Sequence, residues 1–342
     1  MTDFVELKQK AHRVLRQLAR DGIVADAYHN RSQWYGSYPF NQRTGVEEIT
    51  EVWAALRSAL PDLERRDEIF VAGASKPDPR VSEDLTGRPL VATMGVYQGV
   101  MRGSFCGIPP TYGVVSLRFC EVHCFDGEKI VHSYMLWDLA DLMWQAGCWP
   151  MAPALGAEGA WRGPATADGV RLTRHEAERG AQGFDVVMAM HAALGDFDGK
   201  DLDSMDHGPY WTDDFMWYGP GGIGTTRGME GFRAHHQIPF LTAFPDRKGS
   251  GHYVRIADGD YVVTGGWPSV TATHTGEWLG VGATGNHIDM RVMDFYRLAD
   301  GKIAENWVPI DVLWILRQMG VDVLERMKHR LGEPRLTLPT AP

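Results

Sequence analysis

The chain repeats itself, and that repeat limits its fold more tightly than any local pattern. Trp34-Tyr35-Gly36 recurs as Trp217-Tyr218-Gly219 at an offset of 183, and Gly45 recurs as Gly228 at the same offset. Each glycine starts a helix-like segment that ends in Pro-Asp, at Pro61-Asp62 and at Pro245-Asp246. Further on the match is gapless at an offset of 173. Gly103 and Gly107 pair with Gly276 and Gly280; Thr111, Arg118, Lys129 and Ile130 pair with Thr284, Arg291, Lys302 and Ile303. Asp138, Gln145 and Gly147 pair with Asp311, Gln318 and Gly320. The offset drops because the first copy carries a longer segment, Ser75 to Arg88, rich in Pro, Asp and Ser, which reads as a surface insertion. The matches keep one order and nearly one spacing, so two copies of one domain are expected in tandem.

The expected boundaries are a first domain at 1–150, a linker and start of the second helical region at 151–182, a second domain at 183–330 and an extended tail at 331–342. The linker reading rests on Pro150, Pro153, Pro164 and the Gly and Ala residues around them. Residues 1–20 read as an amphipathic helix with Leu7, Ala11, Val14, Leu15 and Leu18 on one face and an Asp3/Glu6 capping box. In the second copy helices are expected near 184–194 and 229–243, the latter ended or kinked by Pro239. Strands are expected at 253–256, 261–267, 270–278, 288–298 and 303–308, with a hairpin turn at Asp300-Gly301. Asp311 sits where an N-cap belongs, and Gly320 is a C-terminal stop. Helices first and strands later, packed on one face of a strongly curved antiparallel sheet, make an α+β cone. Alternate strand residues line its interior, and its mouth opens to solvent.

The bulk properties narrow the partners. A net charge of −10 argues against nucleic acid, whose phosphates need a basic face, and against anionic membranes. No stretch is long and apolar enough to span a bilayer, and the N-terminus lacks the order of a signal peptide. Cys106, Cys120, Cys124 and Cys148 all lie in the first half, and Cys120 and Cys124 are too far apart along one strand for a bridge. Reduced thiols in a cytoplasmic protein are the expectation.

Several second-copy motifs form one set: Phe244-Pro245-Asp246, His274-Thr275-Gly276-Glu277, Asp294, Asp300-Gly301-Lys302-Ile303, Trp307, Asp311 and Gln318-Met319-Gly320. Over 184–320 this resembles the SnoaL-like polyketide cyclase branch of the nuclear-transport-factor-2-like superfamily. The resemblance implies two tandem cones, paired about a pseudo-twofold axis as an internal pseudo-dimer, with further homo-oligomerisation left open. It also implies ring closure by an intramolecular aldol step without metal or organic cofactor. In the family a strand aspartate acts as acid and base beside a histidine from the neighbouring strand, roles that fall on Asp294 and His274. The first copy departs there: Asp294 aligns with Glu121, His274 with Met101, and Tyr296 with His123.

The residues support that chemistry on their own terms. Val292, Asp294, Tyr296 and Leu298 share one strand face, and Met293, Phe295 and Arg297 share the other. A lone carboxylate among apolar groups inside a cone has its pKa raised by desolvation, and a carboxyl tuned toward neutrality both takes and returns a proton. The bland alternative turns Asp294 outward to pair with an arginine. Glu121 and His123 share a face and form either a second active site or a surface pair. Trp217, Tyr218, Trp211, Tyr296, Trp34 and Tyr35 are candidate substrate-binding residues for a hydrophobic small-molecule ligand, against core packing as the plainer role. His235 and His236 read as core or rim packing. Cys120, His123 and Cys124 split across two faces, so no metal site is expected, and neither a phosphate loop nor a nucleophile elbow appears. The function expected is a cofactor-independent acid–base cyclase, lyase or isomerase acting on a hydrophobic carbonyl compound. The alternative is a non-catalytic binding or dimerisation scaffold.

Overall fold

A computed structural model describes residues 4–81 and 85–332. Asp3 of the expected capping box, residues 82–84 of the insertion and the tail from 333 lie outside the described residues. The helices are α1 (Val5–Asp21), α2 (Val24–Ala27), α3 (Gly45–Ala59), α4 (Leu139–Gln145), α5 (Ala177–Gly195), α6 (Gly228–Phe232), α7 (Ile238–Ala243), α8 (Val312–Gln318) and α9 (Val323–Arg330). The strands of the first half are β1 (Tyr28–Gly36), β2 (Gln42–Thr44), β3 (Glu64–Ala74), β4 (Pro89–Val100), β5 (Val114–Asp126) and β6 (Lys129–Trp137). Those of the second are β7 (Trp211–Tyr218), β8 (Thr226–Arg227), β9 (Lys248–Gly249), β10 (Val254–Asp258), β11 (Tyr261–Thr273), β12 (His287–Ala299) and β13 (Lys302–Trp307).

The two sheets run β2-β1-β6-β5-β4-β3 and β8-β7-β13-β12-β11-β10, with β9 added on β11. The orders correspond position for position, so the repeat in sequence is a repeat in topology. One expectation needs correcting: β1 with β6, and β7 with β13, pair in parallel, so the sheets are mixed. A parallel pair needs a crossover of roughly a dozen residues or more, which the chain between β1 and β6 supplies many times over. The two strands expected at 261–267 and 270–278 are one strand, β11, whose register with β12 breaks between Gly266 and Val270. Such a bulge bends a strand while keeping its partner.

The expected kink near Pro239 takes a specific form. A π turn, Arg233–Gln237, joins α6 to α7. Helix α3 has 15 residues, whereas the α6, π and α7 segments have 5, 5 and 6. The second copy therefore carries one extra helical residue, and a π turn absorbs one residue without ending the helix. Pro239 tolerates the wider turn because it has no N–H to place in the helical ladder.

Strand alternation divides the side chains into two layers. Cys120, Val122 and Cys124 of β5 meet Met293 and Phe295 of β12, with Val71, Leu90, Ile256 and Val263, in an apolar layer between the two sheets. The cones thus stand back to back. Their contacts are reciprocal. Asp138 caps α4, pairs with Arg118 at 3.1 Å and accepts from the Gly221 amide at 2.9 Å. Asp311 caps α8, pairs with Arg291 at 3.1 Å and accepts from the Tyr38 amide at 2.8 Å. Each acid belongs to one half and each amide to the other. The halves are also joined at their edges by the Lys76 amide on the Arg255 carbonyl and by a fully buried Lys8–Asp258 ion pair, both 2.8 Å. All four cysteines are free, and no described helix is long and apolar enough to cross a membrane.

Candidate functional site

The second cone holds a cavity of about 450 Å³ between its sheet and the helices α5, α6 and α7. The first cone is filled where the second is hollow, and the repeat shows why. Tyr97, Phe119 and Trp137 pack inside the first cone, with Tyr97 and Phe119 ring centroids 4.5 Å apart and Tyr97 and Trp137 6.0 Å apart. Their counterparts at the offset of 173 are Val270, Val292 and Ile310, all of which line the cavity. Trp53 of α3 corresponds to the His236–Gln237 stretch of the π turn, again on the cavity wall. Three aromatic rings replaced by branched aliphatic side chains leave space that a close-packed interior does not otherwise contain.

Asp294 is the one carboxylate on that wall. Burial pushes its pKa up to about 7, against hydrogen bonds from Tyr296 and Asn306 that pull the other way. The Tyr296 hydroxyl in turn lies 2.8 Å from His191 Nε2. Burial, then the nearby His252, Arg80 and Arg255, lower His191 to about 3, so its ring is neutral at neutral pH. His236 stacks on Trp217 at 3.9 Å and burial lowers it to about 3; burial and Arg80 lower His252 to about 4. Asp294, Tyr296 and His191 therefore form a hydrogen-bonded chain along the cavity wall, in which burial raises the carboxyl toward neutrality and keeps the imidazole neutral.

The equivalent carboxylate of the first half has the opposite fate. Glu121 is fully buried. Burial favours its neutral form, but Arg65 at 2.7 Å, His123 at 3.3 Å and the Tyr97 hydroxyl at 2.6 Å outweigh that and hold it at about 2. Arg65 also pairs with Asp67 at 2.8 Å, and His123 Nδ1 contacts Ser133 Oγ at 2.8 Å. Glu121, His123 and Tyr97 have no exposed surface. Neither sequence alternative for the pair is met: it is neither open to a ligand nor on the surface, but an internal charged network.

The remaining candidates separate by strand phase. Trp211, Trp217 and Tyr296 line the cavity. Tyr218 points the other way, stacked on Trp307 at 5.1 Å between the sheets, and Tyr35 does the same against Tyr134 at 4.9 Å. Trp34 faces inward like Trp217, but is fully buried in the filled cone with Nε1 on Met135 Sδ. His274 does not reach Asp294. Its amide bonds the Asn286 carbonyl, eight residues before Asp294 in the partner strand, a path of about 26 Å at normal strand rise. It is buried against Phe244, with Nδ1 3.0 Å from Thr284 Oγ1.

Sequence reasoning missed His191, His252, Asn306, Arg80 and Arg247, all on the cavity wall. Arg80 comes from the first half. The insertion after β3 docks at the second cone's mouth, where Asp78 holds the Arg80 guanidinium at 2.7 and 2.9 Å and accepts from the His252 amide at 3.0 Å. No periodic signal marks such a contact. Among the described residues no three His, Cys, Asp or Glu side chains converge as metal ligands.

Residues 185–319 match the family model for SnoaL-like polyketide cyclases, so the second half is a SnoaL-like domain. Both halves are α+β domains of one strand order, set in tandem. Similar solved structures include AclR from Streptomyces galilaeus, described as a candidate hydroxylase. It is 26% identical, covers 41% of this chain and 85% of its own, and has a TM-score of 0.33. IdmH from Streptomyces antibioticus, described as a candidate polyketide cyclase, is 27% identical over 41% of this chain and 99% of its own, with a TM-score of 0.33. An NTF2-like protein from Burkholderia xenovorans is 18% identical over 41% and 97%, with a TM-score of 0.30. A comparison with curated proteins found no match.

Proposed function

We propose that the second half is an acid–base enzyme acting on a hydrophobic, polyketide-like carbonyl compound, and that it works without a cofactor. The observation that carries this reading is a lone carboxylate at about pKa 7 with no cation beside it, on the wall of an apolar cavity. Ionised Asp294 removes the proton from the carbon next to a substrate carbonyl. The electron pair left behind becomes an enolate, which attacks a second carbonyl of the same molecule. The new alkoxide takes back the proton, so the aldol step is balanced and Asp294 returns to its starting form. Tyr296, oriented by His191, supplies a donor for the developing oxyanion. Trp211 and Trp217 supply flat walls for a flat substrate. A lyase or isomerase of the same kind would use the same proton transfer.

The first half, on this reading, is the structural partner. Its carboxylate is neutralised by Arg65, and Tyr97, Phe119 and Trp137 pack where the second half is hollow. Mass spectrometry of molecules that co-purify with the chain identifies the carbonyl compound, and turnover of that compound by Asp294→Asn decides the mechanism. Full activity in that variant, with the fold intact, removes Asp294 from the chemistry.

A further inference from the structure

The acid–base reading leaves one charged wall residue unused. Arg247 follows the Phe244-Pro245-Asp246 turn and lines the same cavity as Asp294. It is half-buried and held in place: Nη2 donates to the Leu194 carbonyl at 2.9 Å, and the guanidinium lies 5.7 Å from the Phe197 ring centroid. Among the described residues it makes no ion pair. Its neighbour Asp246 does not serve as one, because that carboxylate is bound to the Thr273 amide and hydroxyl at 2.8 and 2.7 Å. Burial alone lowers the Arg247 pKa, with no acid opposing it. Most buried guanidinium groups are paired with an acid, and one left without a partner on a cavity wall is aimed at a charge supplied from outside.

The other charges on the wall agree in sign. Lys248 is exposed at the same rim, and Arg80 reaches over from the first half, although Asp78 already balances much of its charge. The Arg80 guanidinium lies close over Gly249, where a Cβ would be 2.8 Å from Nη1. Against three cations the wall carries one acid, Asp294. Its interior is apolar and aromatic, and its rim is basic.

We infer that Arg247 is an anion-binding residue of this cavity and that the ligand is a flat apolar molecule bearing a single carboxylate. The planar guanidinium fork matches a carboxylate better than a lysine would, and the charge lies on the same wall as the reacting acid. The inference shares only the cavity with the acid–base proposal, and either can fail alone.

The test uses the full chain and two probes of nearly equal shape, 2-naphthoate and its neutral ketone analogue 2-acetonaphthone, in isothermal titration. Wild type should bind the carboxylate roughly tenfold more tightly or better, the usual size of a charge-assisted hydrogen bond. Added salt should weaken the carboxylate and leave the ketone unchanged. Arg247→Met should erase the preference, and Arg247→Gln, which keeps a donor for the Leu194 carbonyl, should do the same should the first variant misfold. Equal binding of the two probes by wild type overturns the inference. So does a parallel loss of both probes in a folded Arg247 variant. Asp294→Asn should keep the preference. A preference that survives in an Asp294→Asn variant with full turnover would sink the acid–base proposal alone.

Discussion

Asp294→Asn should make the protein more stable at alkaline pH while ending its turnover. In the unfolded chain this carboxyl titrates at 3.8; in the folded protein burial moves it to about 7. Each unit is worth about 1.4 kcal/mol, so the shift costs the folded state at most about 4 kcal/mol, and nearer 2 once the cavity's contact with solvent is allowed for. The sign follows from proton counts. Between about pH 4 and pH 7 the folded state keeps a proton that the unfolded state has lost, so stability falls as pH rises through that window and levels off above it. Asparagine has the same shape, carries no charge, and still hydrogen-bonds with Tyr296 and Asn306. The variant should therefore match wild type near pH 4 and exceed it by about 2 kcal/mol near pH 8. Paired urea titrations across that range measure the difference, in which all other titrating groups cancel. A flat difference, or a variant weaker than wild type at high pH, would show an aspartate that ionises as it does in water, and the argument for a tuned base would fall.

Three further outcomes test the rest of the site. Tyr296→Phe should cut turnover by about 10- to 100-fold, and should move the midpoint of the pH–rate profile upward, because the lost hydrogen bond now holds Asp294 down. An unchanged midpoint would uncouple the two groups. Glu121→Gln should leave turnover within about twofold and lower stability by about 3 kcal/mol in urea, since it strands Arg65 without half of its counter-charge. Lost turnover in a folded Glu121→Gln protein would return the first half to the chemistry. Val292→Phe restores the residue type of Phe119 in the closed half; it should abolish binding of 2-acetonaphthone while leaving the urea midpoint at or above that of wild type. Undiminished ketone binding would place the ligand elsewhere.

The fold was legible in the sequence to the extent that it repeats. Two copies with one strand order, the Asp311 cap and the division of β12 into two faces all follow from residue spacing, because spacing alone sets which side chains share a face. The same rule explains the aromatic errors: in each Trp-Tyr pair one ring must face inward and the other outward, so Trp217 could line the cavity only if Tyr218 did not. What the sequence did not carry is contact between residues far apart along the chain. His191 reaches Tyr296 across 105 positions, Lys8 reaches Asp258 across 250, and Arg80 crosses from one half to the other. The hollow itself was hidden in plain view, since Tyr97, Phe119 and Trp137 against Val270, Val292 and Ile310 is a difference in volume that no periodicity records.

The duplication supplies its own control for the site's electrostatics. Glu121 and Asp294 occupy one place in one fold, Glu121 without exposed surface and Asp294 partly buried on the cavity wall, yet one is held at about 2 and the other raised to about 7. Burial acts on both in the same direction, so burial does not separate them. The difference is Arg65, which stands 2.7 Å from Glu121 and whose counterpart, at the offset of 184 that Pro61 and Pro245 set, is Gly249, which has no side chain. Withdrawing one cation from the interior frees the carboxylate to titrate near neutrality; withdrawing three aromatic rings admits a molecule for it to act on. Each change alone is useless for catalysis: an unpaired acid in a filled cone would only destabilise, and an empty cone around a paired acid would only bind. Both occur in the same half, and on that coincidence rests the proposal that chemistry belongs to the second cone and not to the pair.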